Sequence, residues 1–62
     1  MDQFDFHKPS AEQILRIEHV RAAARNFWHV IEAYCPPSAD RSAAQRKVRE
    51  AMMTANASIA QE

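Results

Sequence analysis

Pro36-Pro37 lies near the middle of a chain that otherwise holds no helix breaker between Ser10 and Glu62: it has no glycine, and its only other proline is Pro9. The residue before a proline is steered away from helical angles, so a helix running through Tyr34 must stop at Cys35. Ser10-Ala11-Glu12-Gln13 reads as a capping box, with serine at the N-cap and glutamine three residues on. Beyond the proline pair, Ser38 is a natural N-cap, and Asp40 favours a first helical turn. The expected chain is an arm over 1–9, a helix over 10–35, a turn over 36–38 and a second helix over 39–61. A turn this short makes the two helices antiparallel neighbours. The fold class is all-α: a short N-terminal arm followed by a two-helix antiparallel hairpin.

The faces of those helices bear on assembly. Ile17, Val20, Ala24, Phe27, Ile31 and Tyr34 recur at alternating three- and four-residue steps, which makes one apolar seam. Ala44, Val48, Met52, Ala55 and Ile59 do the same on the second helix, with Ala51 beside them. Leu15, Ala22, Ala23, Val30 and Ala33 fall away from the first seam, Trp28 at its edge, and Met53, Ala57 and Ala60 away from the second. One hairpin cannot cover all of these, and uncovered apolar helix faces point to partner helices. A chain of 62 residues is marginal alone. Cys35 is the only cysteine, which excludes an intrachain disulfide and fits a reducing compartment. A helical homo-oligomer is therefore expected.

Composition excludes several functions. Eight basic residues balance eight acidic ones, which argues against generic binding to duplex nucleic acid, where phosphate neutralisation dominates. No run of apolar residues approaches the roughly 18 of a membrane span. The opening Met1-Asp2-Gln3-Phe4-Asp5 lacks the apolar stretch of a signal peptide, so a cytoplasmic protein with no membrane partner is expected. Ser10, Ser38 and Ser42 are accounted for by capping, Cys35 has no base beside it, and no acid–base carboxylate pair stands out; no catalytic residue, and so no enzyme, is expected. His29-x-x-Glu32 offers only a surface pair, so neither a metal nor a cofactor is expected.

Two features carry a binding reading. Arg21 and Arg25 are neighbours on a polar strip that also holds Glu18, His29 and Glu32. Like charges at this spacing repel, and either the strip's glutamates or a bound anion could neutralise them; the planar guanidinium suits phosphate. In the arm, Phe4, Phe6, His7 and Lys8 put two aromatic rings, an imidazole and a cation within five residues. They could stack on a base and meet its phosphate, or simply staple the arm to a neighbouring hairpin.

The ordered set Phe6-His7-Lys8-Pro9, Ser10-Ala11-Glu12-Gln13, Cys35-Pro36-Pro37-Ser38 and Thr54-Ala55-Asn56-Ala57-Ser58-Ile59-Ala60 spans almost the whole chain. It resembles the small phage hairpin-domain proteins known as anti-CBASS sponges, related to anti-Thoeris sponges. The resemblance implies a hexameric assembly in the cytoplasm of an infected bacterium. It implies sequestration, without cleavage, of cyclic dinucleotide and cyclic trinucleotide immune signals. It also implies that Phe6 stacks on a base and Arg21 meets a phosphate, with His7, Lys8 and Arg25 in support, in a cleft between protomers. Thr54 stands where the family often has tryptophan, and phenylalanine at position 6 where it often has tyrosine. A protein-interaction module that inhibits a host protein is the competing reading of the same helices; a transcriptional regulator would need a basic recognition helix that is absent.

Overall fold

A computed structural model describes residues 8–62, and over them the chain is two α-helices, α1 at Ala11–Tyr34 and α2 at Ala39–Ala60, folded back on each other. Phe4, Phe6 and His7 lie outside the described residues; Lys8 and Pro9 are exposed. At 24 residues α1 is about 36 Å long.

Side chains named by the sequence fix both helix starts. The Ser10 Oγ accepts from the Gln13 backbone N–H at 3.1 Å, while the Ser10 N–H donates to the Gln13 side-chain oxygen at 2.8 Å, which completes the capping box. The Ser38 Oγ accepts from the Arg41 N–H at 3.1 Å and donates to the Pro36 carbonyl at 3.1 Å, so one hydroxyl closes the turn and starts α2.

Further contacts at three places latch the helices to each other. At the turn, α1 has no basic residue in its last turn, and the Arg41 guanidinium of α2 donates to the carbonyls of Glu32 and Cys35, both at 3.4 Å. It thereby places a positive charge at the negative end of the α1 dipole. Midway, the Gln45 side-chain amide donates to the Trp28 carbonyl at 3.3 Å. At the open end, the Gln13 side-chain amide donates to the Ile59 carbonyl at 3.1 Å, and Arg16 pairs with Glu62 and, at 3.6 Å, with Glu12. The Arg16 guanidinium holds the Glu62 carboxyl below its ordinary range, first through their hydrogen bond; that bond likewise raises Arg16.

The seam departs from the expected one at two positions. Ile17, Val20 and Ala24 are half-buried and Ile31 is buried, but Phe27 is 56% exposed and Tyr34 84% exposed, while Trp28 turns inward. The step from Ala24 to Ile31 is seven residues by either route. Position 28 is half-buried where position 27 is exposed, so the covered route runs through Trp28. Tyr34 lies at the turn, where α2 has not yet begun to cover α1. On α2, Ala44, Val48, Met52, Ala55 and Ile59 are half-buried as expected, and Ala51 is exposed.

Ile31 is the only buried residue among those described. Ile14, Leu15, Val30 and Met53 are exposed at 41–59%, so the pair of helices leaves much apolar surface uncovered. No helix of the described residues is long and apolar enough to cross a membrane.

Candidate functional site

A two-helix hairpin is a slab with a groove on each side, and here the two grooves differ in chemistry. On one side Val20, Ala23, Phe27 and Ile31 face Ala44, Ala51 and Ala55 across a cleft of about 560 Å³, with Lys47 its only charged residue. On the other side the cleft, of about 380 Å³, is lined by Arg21, Arg25, Trp28 and His29 from α1 and by Arg49 from α2. Ala24, Val48 and Met52 floor both clefts. The slab is thin there because position 24 is alanine. The larger cleft offers almost no polar partner for a ligand, so the smaller, basic one is the candidate site.

Helical spacing builds the basic side. Arg21, Arg25 and His29 follow one another at four-residue steps, which stacks them along one edge of α1. Trp28, one position before His29, stands edge-on to the imidazole, with ring centroids 5.1 Å apart and an interplanar angle of 82°. His29 Nδ1 lies 3.9 Å from a Glu32 carboxylate oxygen. A smaller hollow beside the cleft, lined by Glu18, Arg21, Ala22 and Arg25, extends it toward the open end of the hairpin.

The electrostatic balance of this edge is the informative part. Among the described residues, no carboxylate lies within 4.0 Å of Arg21, Arg25 or Arg49; the contacts of this kind that do form are Arg16–Glu12, Arg16–Glu62 and the approach of His29 to Glu32. Glu32 lies 3.9 Å from the histidine, and Glu18 pairs with neither arginine although it shares the strip. Three guanidinium groups therefore rim one cleft with no ion-pair partner among the described residues, above an apolar floor of Ala24, Val48 and Met52 and beside an indole. Such a site suits a ligand that is anionic on one part and flat and apolar on another.

Of the residues singled out by sequence, Arg21 and Arg25 come together at this cleft, Lys8 is exposed just before α1, and Phe6 and His7 lie outside the described residues. Reading the sequence missed Arg49 and undervalued Trp28. Arg49 belongs to another helix, and only the pairing of α1 with α2 brings it opposite Arg21 and Arg25. Trp28 was placed at the edge of the seam, and its wall of the cleft follows from the seam's detour through it. Cys35 is exposed at the turn, and its N–H caps α1 by donating to the Ile31 carbonyl at 2.9 Å.

Comparison with known families gives one result of weight: a family model described as Acb2/Tad1, hairpin domain, matches residues 1–60. No curated protein and no solved structure matches the chain.

Proposed function

Because the chain belongs to the Acb2/Tad1 hairpin-domain family, we propose that it is an anti-defence sponge that binds cyclic dinucleotide and cyclic trinucleotide signals and holds them without cleaving them. The observation that carries this reading is the set of guanidinium groups of Arg21 and Arg25, with no carboxylate within 4.0 Å among the described residues, at the rim of an apolar, tryptophan-walled cleft. Charge-assisted bonds from arginine to phosphate are among the stronger hydrogen bonds available to a protein. The arm adds Phe6 as a stacking surface, with His7 and Lys8 beside it.

The site works by capture alone. In this reading the ligand leaves as it entered. A cleft of about 380 Å³ is near the lower end of small-molecule sites and holds only part of a cyclic dinucleotide. The remainder is covered by an arm and by a second hairpin. The exposed Ile14, Leu15, Phe27, Val30 and Met53 provide surface for that assembly, which we take to be a homohexamer. Thermal melting in the presence and absence of cyclic di-AMP, cyclic di-GMP and a cyclic trinucleotide tests the reading. A ligand bound only by the folded form raises the melting temperature, and no shift with any of them contradicts it.

A further inference from the structure

We infer that α2 is part of the ligand site: Arg49 supplies a second phosphate contact across the cleft from Arg21 and Arg25, and Trp28 supplies a base-stacking face inside it. The inference rests on the sponge reading and narrows its ligand to one bearing two phosphodiesters with a flat base between them.

The geometry that supports this is the division of charge between the two walls. Arg21 and Arg25 rim the cleft from α1, and Arg49 rims it from α2. None has a carboxylate within 4.0 Å among the described residues. A single phosphate meets the arginine pair on α1 and leaves Arg49 unsatisfied. A ligand with two phosphodiesters neutralises both walls at once. Between the walls the cleft floor is apolar and Trp28 stands at its side, half-buried, with its carbonyl anchored to α2 through Gln45 at 3.3 Å. A half-buried indole that lines the cleft offers a stacking face there. A ligand seated there bridges both helices, so binding also ties the hairpin together.

Trp28 is the chain's only tryptophan, so its fluorescence reports on the cleft directly. The test titrates cyclic di-AMP and cyclic di-GMP into the full chain, following heat and Trp28 emission together, for wild type, Arg49→Gln, Trp28→Leu, Trp28→Phe and Arg46→Gln. Emission of the wild type should be quenched as heat is released. Arg49→Gln should weaken binding by about ten-fold or more, as expected for loss of one charge-assisted contact. Arg46→Gln, which removes an equal charge from an exposed position of the same helix outside the cleft, should not change it. Trp28→Leu should weaken binding at unchanged far-ultraviolet circular dichroism, and Trp28→Phe should recover most of it. If heat is released with unaltered Trp28 emission and Arg49→Gln binds as wild type does, the inference falls while the sponge reading stands. If neither dinucleotide gives heat, the inference falls, and if a cyclic trinucleotide gives none either, the sponge reading falls with it.

Discussion

The side-chain amide of Gln45 reaches across the hairpin to the main-chain carbonyl of Trp28 at 3.3 Å. It joins α2 to the residue that walls the basic cleft. Removing it as Gln45→Ala should lower stability by about 1 kcal/mol, the net worth of a typical hydrogen bond. In a chain of this size that corresponds to a fall in melting temperature of roughly 4–8 °C.

Ile31 is the only residue among those described that the hairpin buries. Ile31→Ala removes that contact and should cost about 2–5 kcal/mol, most of what a small domain has to lose. Denaturant unfolding should show the transition moved to much lower denaturant or abolished. Phe27→Ala, on a ring 56% exposed, should cost the isolated hairpin far less, and the order of these two effects checks the seam assigned here.

The helices and their limits were legible because local chemistry sets them: a capping box at Ser10, a proline pair after Cys35 and an N-cap at Ser38 act over a few residues. The seam was legible wherever the three- and four-residue steps left no choice, at Val20, Ala24, Val48 and Met52. Between Ala24 and Ile31 the steps fit Phe27 and Trp28 equally well, and which of them is covered depends on how α2 lies against α1. The basic pair Arg21 and Arg25 could be read from one helix. Arg49 could not, because its place opposite them depends on helix register, which no spacing within α1 encodes.

Arg16 and Glu62 close the open end of the hairpin, and the pairing holds the Glu62 carboxyl below its ordinary range. A carboxyl depressed in the folded state stabilises at pH values above its unfolded pKa, about 4.3, and loses that contribution as pH falls through the lower folded value. The melting temperature of wild type should therefore exceed that of Glu62→Gln at neutral pH and converge on it in acid, below about pH 4. Added salt should shrink the difference, since both partners are exposed.

The apolar side of the slab, where Ala23, Phe27 and Ala51 lie open beside Lys47, is the surface expected to meet other copies. Light scattering on a sizing column at micromolar concentration should give the mass of an oligomer, a hexamer in the proposed reading. Ala23→Glu places a charge on this exposed face at no steric cost to one hairpin and should shift the mass downward. A wild-type mass of a single helical chain would contradict the assembly.

Capture without turnover is tested most directly by calorimetric titration of the full chain with cyclic di-AMP and cyclic di-GMP, followed by denaturation and chromatography of the released ligand. Wild type should bind at least one of them and return it intact. Phe6→Ala and Arg21→Ala should each weaken binding by about one to two decades, from stacking worth about 1–3 kcal/mol and a charged hydrogen bond worth about 1.5–3 kcal/mol, with the oligomer preserved. Recovery of a hydrolysed ligand, or undiminished binding in the Phe6→Ala, Arg21→Ala double variant, would contradict the account.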